Sequence, residues 1–134
     1  MNPPMTAGGL PDAALDQLFL QARSQNGYLD QPVPDALIER LYALVKMGPT
    51  SMNCSPARLA FVRSAEARQK LLACVAPPNV AKITQAPVTV IVGMDLGFVD
   101  TLPRLFPHLD VRPFFAGNDE LVRATAFRNS SLQG

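Results

Sequence analysis

Residues 88–94, VTVIVGM, constrain the fold more than any other stretch of the chain. A β-branched run follows Pro87 and predicts a strand over Val88–Met94. Its nearly continuous apolar character predicts a central place in a sheet rather than an exposed edge. The stretch at 86–94 is far too short to span a bilayer.

Around that strand the apolar period is mostly helical. Leu15, Leu18, Phe19 and Ala22 predict a helix over 12–24 with one buried stripe, closed by Asn26-Gly27. Pro34 can occupy the first turn of a second helix running to about Met47. Its wide face of Leu37, Ile38, Leu41, Tyr42, Leu44 and Val45 predicts substantial burial. Gly48-Pro49 ends it, because proline cannot easily continue the hydrogen-bond ladder. Leu59–Arg63 predicts a second strand. Ser64 can cap a third helix whose Leu71, Leu72 and Val75 face inward, until Pro77-Pro78 interrupts it. Asn79 is the expected start of a short helix through Gln85. Residues 95–118 have no long period and are punctuated by Gly97, Pro103, Pro107, Pro113 and Gly117. They predict an extended surface segment with one or two helical turns. Asn118, followed by Asp119 and Glu120, marks the start of a last helix, with acids at its positive end. Two strands with four or five helices make an incomplete-looking layer.

The chain has 134 residues and a net charge of +1, which suits one domain: an arm at 1–11 and a body at 12–134. Its 12 basic residues are dispersed among 11 acidic ones, which argues against a nucleic-acid partner. Cys54 and Cys74 make no disulfide scaffold, and with His108 they make no metal pattern, so no metal and a reducing cytoplasm are expected. No basic region followed by an apolar core opens the chain, so neither a signal peptide nor a membrane anchor is expected.

Polar groups gather at two places. In 48–58, GPTSMNCSPAR, backbone N–H groups, Ser51 and Asn53 can bind an oxygen-rich planar group, with Pro49 and Pro56 stiffening the loop. The alternative is a plain helix-to-strand connection with local caps. In Arg23-Ser24-Gln25-Asn26, Arg23 and Ser24 offer donors to a phosphate. An exposed helix terminus with a well-placed Arg explains them equally, and the helix dipole there disfavours anions. His108 lacks an oriented partner, and Cys54 lacks a base that would favour its thiolate. Asp119 and Glu120 read as caps rather than acids. Arg128-Asn129-Ser130-Ser131 either lines a pocket or faces water. No GxGxxG or Walker loop is present, which disfavours a dinucleotide-binding Rossmann domain.

Five stretches, ARSQNGYLDQPV, LYALVKMGPTSMNCSPARLAFV, KITQAPVTVIVGMD, LPRLFPHLDVRPFF and LVRATAFRNSSLQ, taken in order, resemble the nitroreductase superfamily, and within it the malonic semialdehyde reductases of pyrimidine degradation. The resemblance implies an α+β, three-layer fold with a central, mainly antiparallel sheet, assembled as an intertwined homodimer around FMN. It implies hydride transfer from NADPH or NADH through flavin N5 to an acceptor, so no catalytic side chain is required. The expected acceptor is malonic semialdehyde, with nitroaromatics or quinones as alternatives. By match, Arg23 and Ser24 stand at the flavin phosphate and ribityl chain. Asn26, where many relatives carry Arg, favours the semialdehyde-reductase subgroup, as does Ser55. Pro49, Thr50, Ser51 and Asn53 resemble the loop that meets the flavin from the partner subunit. His108, Arg112 and Phe114 fall in a variable segment near the substrate mouth.

Relatives continue beyond the Leu121–Leu132 helix into a GLxxGPMxGF-like segment and further strands. The resemblance therefore implies a chain whose C-terminal third is missing. Two alternatives to a working reductase follow: a noncatalytic flavin-binding remnant, and a structural fragment.

Overall fold

The computed structural model describes residues 9–134. Residues 1–8, most of the arm expected over 1–11, lie outside the described residues. Helix α1 (Asp12–Leu15) widens at Asp16–Leu20 into a π-turn, where the Gln21 N–H donates to the Asp16 carbonyl at 2.7 Å. It stops short of Ser24, and the stripe expected to be buried is open: Leu18 is 57% and Phe19 71% exposed.

Helix α2 (Asp35–Val45) follows Pro34 and tightens at its end, where the Gly48 N–H donates to the Val45 carbonyl at 3.0 Å. The ion pair of Arg63 with Asp35, and a 2.9 Å bond from Arg63 to the Val33 carbonyl, tie its start to the end of β1 (Ala57–Val62). The broad apolar face is present but not buried: Leu37, Leu41 and Leu44 are all exposed. A helical apolar period identifies a face that needs cover, not what covers it.

Strand β1 pairs antiparallel with β2 (Thr89–Met94), Ala57 opposite Met94 and Val62 opposite Thr89. Among the described residues the sheet has these two strands alone, so β2 is an edge rather than the expected central strand. Val90, Ile91 and Val92 remain exposed. Continuous apolarity reports that both faces want cover; it does not count neighbours.

Helix α3 (Ala65–Leu72) is capped as the sequence indicates, with Ser64 Oγ accepting from the Ala67 N–H at 3.1 Å. Helix α4 (Pro77–Gln85) packs against it and starts at Pro77 rather than Asn79. Proline lacks an N–H, and the first helical turn does not need one. Residues 95–118 fold as a 3₁₀ turn (Phe98–Thr101), a short helix α5 (Leu102–Leu105) and a second turn (Arg112–Phe114). The last helix, α6 (Asp119–Gln133), packs across both strands, and Asn118 Oδ1 accepts from the Leu121 N–H at 3.0 Å.

The buried core overturns one expectation outright. Phe98, Leu102, Val111 and Phe115 come from the segment read as a surface stretch, and they pack with Cys54 and Ala126. Phe98 meets Phe115 edge to face at 5.3 Å. Each fully buried Phe or Leu contributes about 1.5–3 kcal/mol by leaving water. Isolated apolar residues between prolines have no period to reveal them, so only the tertiary fold gathers them. Met52, Val99, Phe106 and Val122 flank this cluster. The core therefore sits directly beneath the turn that joins α2 to β1.

Candidate functional site

Residues 48–58 fold into a turn whose shape comes from the strain it holds. Met52, Asn53 and Ser55 have φ of 53°, 52° and 40°, the left-handed region that ordinary side chains avoid. Asn tolerates that region best, whereas Met and Ser do so poorly. Such strain, about 1–3 kcal/mol for a non-glycine residue, persists only where the surroundings over-determine it.

The surroundings do so from four sides. Beneath the turn, Cys54 is fully buried and Met52 packs on the core. Within it, the Asn53 N–H donates to the Thr50 carbonyl and the Cys54 N–H to the Ser51 carbonyl, both at 3.0 Å. The Ser55 N–H donates to Thr50 Oγ1 at 3.1 Å. From α5, the Leu105 carbonyl accepts from Asn53 Nδ2 at 2.8 Å. From α6, Asn129 Oδ1 accepts from the Ser51 N–H at 2.8 Å, and Gln133 Nε2 donates to the Gly48 carbonyl at 3.3 Å. At the exit, Arg58 spans to Asp95 at 2.5 Å and to the Ser55 carbonyl at 3.1 Å.

Beside the turn lies an open groove of about 890 Å³ between α2, β1 and α5. Tyr42, Leu59, Phe61 and Leu105 supply apolar wall, and Pro49, Asn53, Ser55 and Thr101 add small and polar groups. Lys46, Arg58 and Arg104 line it as well, with no acidic residue among the lining. Arg58 is paired with Asp95, whereas Arg104 makes no ion pair among the described residues. Apolar walls, a few fixed polar groups and unneutralised cations suit a flat aromatic molecule that carries an anionic group. FMN has that chemistry, so the donor set fits it.

The other expected site residues are dispersed. Arg23, Ser24 and Asn26 are exposed and do not line the groove, and Arg23 turns back onto the Leu20 and Ala22 carbonyls at 3.0 and 2.6 Å. His108 is exposed with its ring edge-on to Phe106 at 5.5 Å. Arg112 holds Asp110 in a two-pronged contact, both bonds 2.8 Å. The guanidinium keeps the Asp110 carboxyl at about 2, well below its ordinary value, and Arg112 is raised in turn. Phe114 is exposed. Thr50 and Ser51 are half-buried and do not line the groove; Thr50 Oγ1 accepts from the Ser55 N–H within the turn, and the Ser51 N–H is taken up by Asn129 of α6, so Pro49 and Asn53 are the expected residues that border the groove. Burial pushes the Cys54 thiol up, which leaves it inert rather than nucleophilic.

Sequence reasoning missed Asn129 and Gln133 as anchors, although Thr125, Asn129 and Gln133 recur at four-residue spacing on one face of α6. That polar stripe was the available signal. It also settles residues 128–131: Asn129 and Ser130 are buried, whereas Arg128 and Ser131 face solvent. Ser130 Oγ has no hydrogen-bond partner and borders a mostly apolar cavity of about 350 Å³ with Val92, Met94 and Phe127. Among the described residues no cluster of His, Cys, Asp and Glu could hold a metal, and no helix is long and apolar enough to cross a membrane.

No family model matches the chain. A provisionally named NADH dehydrogenase/NAD(P)H nitroreductase of Burkholderia lata is 61% identical over 125 residues, covering 93% of this chain and 64% of the relative. A like-named protein of Polynucleobacter asymbioticus is 51% identical over 128 residues, covering 96% of this chain and 65% of the relative. The chain thus spans just under two thirds of the length of these curated relatives. Among solved structures, a provisionally assigned nitroreductase of Bacillus subtilis matches with a TM-score of 0.79 at 18% identity, over 92% of this chain and 67% of that one. A provisionally assigned nitroreductase of Exiguobacterium sibiricum, solved in complex with FMN, matches with a TM-score of 0.70 at 17% identity, over 83% and 61%. The α+β architecture, an antiparallel sheet with flanking helices, is the one these structures share.

Proposed function

Because the chain is 61% and 51% identical to proteins named as nitroreductases, we propose that it belongs to the nitroreductase superfamily and serves an FMN-dependent oxidoreductase that draws on NADPH or NADH and reduces malonic semialdehyde to 3-hydroxypropionate. When bound, FMN supplies hydride transfer at its N5 position. The chain's own residues bind, orient and shield. Pro49 and Asn53 form one wall of the groove, Tyr42 and Phe61 give apolar surface to a flat ring, and Lys46 and Arg104 favour an anionic end. The observation that carries this reading is the strained, four-sided turn placed on the rim of a groove whose lining is cationic.

Arg23, Ser24 and Asn26 remain the proposed phosphate and ribityl contacts. They do not line the groove of their own chain, so the reading requires two copies, with the turn of one meeting the Arg23 segment of the other. The exposed apolar face of α2 supports such a homodimer. Phe114, with His108 and Arg112, is proposed at the acceptor mouth. A cytoplasmic setting in pyrimidine degradation goes with this reading, and both cysteines being free accords with it.

Titration of the purified chain with FMN tests the cofactor: quenching of flavin fluorescence with one flavin per copy is expected, and absence of binding overturns the reading. Semialdehyde-dependent oxidation of NADPH or NADH tests the reaction. A second reading, a broad nitroaromatic or quinone reductase, is favoured by the nitroreductase names of the relatives. It is the better account if those acceptors turn over faster than the semialdehyde. Binding without turnover of any acceptor identifies a noncatalytic flavin-binding unit.

A further inference from the structure

Asn129 joins the last helix to the strained turn through the Ser51 backbone. The residue is buried, with 2% of its surface accessible. Its two polar atoms have separate tasks: Nδ2 donates to the Thr125 carbonyl at 2.8 Å, and Oδ1 accepts from the Ser51 N–H at 2.8 Å. The first bond, one helical turn back, fixes the rotamer of the side chain on α6. The second fixes the backbone of the turn immediately before the first two of its three left-handed residues, Met52 and Asn53. An apolar residue at 129 would leave the half-buried Ser51 N–H without its partner. A turn with three non-glycine residues at positive φ has easier conformations available, and a half-buried amide without a partner is a strong local reason for it to adopt one.

We propose that Asn129 is the positioning residue of the groove: it acts through the Ser51 amide and holds Pro49 and Asn53 in their places on the rim. This deepens the flavin reading and rests on it for the ligand, although not for the local geometry. Gln133, one turn further along α6, assists through the Gly48 carbonyl. Ser51 and Asn129 are 78 residues apart in sequence, so the last helix sets the shape of a loop that local sequence leaves strained.

Amide hydrogen exchange and FMN titration test this together. In the unmodified chain the Ser51 amide is expected to exchange slowly, near the rate of the β1 and β2 amides. Asn129→Leu keeps the bulk and deletes both bonds. It is expected to speed Ser51 exchange at least about tenfold and weaken FMN at least about fivefold, with the sheet amides unchanged. Asn129→Asp keeps an acceptor for Ser51 but loses the donor to the Thr125 carbonyl, so it is expected to restore only part of the protection. A freely exchanging Ser51 in the unmodified chain overturns the proposal whether or not any variant folds. So does a Leu variant with an unprotected Ser51 and unaltered FMN affinity. If the unmodified chain binds no FMN, the flavin reading fails, and the exchange data alone decide the positioning role.

Discussion

Asn53 and Leu105 are joined across 52 residues by a 2.8 Å bond from the Asn53 amide nitrogen to the Leu105 carbonyl, which ties the turn after α2 to α5. The residue expected to offer its side chain to a ligand therefore already has its donor engaged by the protein. Asn53 also lines the groove, and its amide oxygen is the polar side-chain atom that this bond leaves over.

Asn53→Ala removes both the tie and the acceptor, and places a residue less tolerant of φ near 52° in the turn. The expected outcome is a loss of about 1–2 kcal/mol of stability together with weaker FMN binding. Urea unfolding and flavin fluorescence report the two effects separately. FMN affinity equal to that of the unmodified chain removes Asn53 from the site.

Ser55 has φ of 40°, and its backbone N–H, rather than its hydroxyl, makes the bond to Thr50 Oγ1. Ser55→Gly relieves the left-handed strain but adds freedom to the unfolded chain, so its expected effect lies within about 1 kcal/mol. Ser55→Val, β-branched at positive φ, should destabilise by more than about 1 kcal/mol. The difference between the two urea midpoints measures the strain.

Phe98 is fully buried against Phe115. Phe98→Ala is expected to cost about 3–5 kcal/mol, a large share of an ordinary domain's stability. Because Cys54 belongs to the same cluster, the turn should loosen with the core. A thermal midpoint within a few degrees of the unmodified chain would place the core elsewhere.

The two cysteines should react at very different rates. Cys74 is exposed, while Cys54 is buried with its thiol pushed up by that burial. An alkylating reagent at neutral pH is expected to modify Cys74 alone, and Cys54 only after denaturant is added. Peptide mapping distinguishes them, and early labelling of Cys54 would contradict a closed turn.

Asp110 titrates at about 2 because Arg112 holds its charged form. A carboxyl lowered on folding stabilises above its unfolded value, near 4, and that contribution is lost as pH falls towards about 2. Arg112→Met should return Asp110 to the ordinary carboxylate range in a carboxyl-carbon NMR titration. An unchanged Asp110 titration would rule out Arg112 as the cause.

The elements that sequence reading located well are those whose signals are local. Ser64 and Asn118 cap their helices with their own side chains, and the β-branched run at 88–94 pairs as a strand. The Gly48-Pro49 break ends α2 because the ladder cannot pass it. These depend on neighbours within a few residues. The polar character of 48–58 was legible in the same way, and so was its place between a helix and a strand.

Burial and assembly were not legible, because they are properties of contacts made far along the chain. Leu18, Phe19 and Leu41 have the period of buried residues and remain exposed, whereas Phe98, Val111 and Phe115 have no period and form the core. Asn129 looked like one polar residue among several. It became an anchor only when α6 was laid across the sheet and brought its amide oxygen to Ser51. By itself the sequence determined where the backbone turns, starts and stops, through dihedral preferences and short-range hydrogen bonds. The tertiary structure alone decided which side chains leave water and which strained turn is held in place, since both depend on distances that only the packed chain defines.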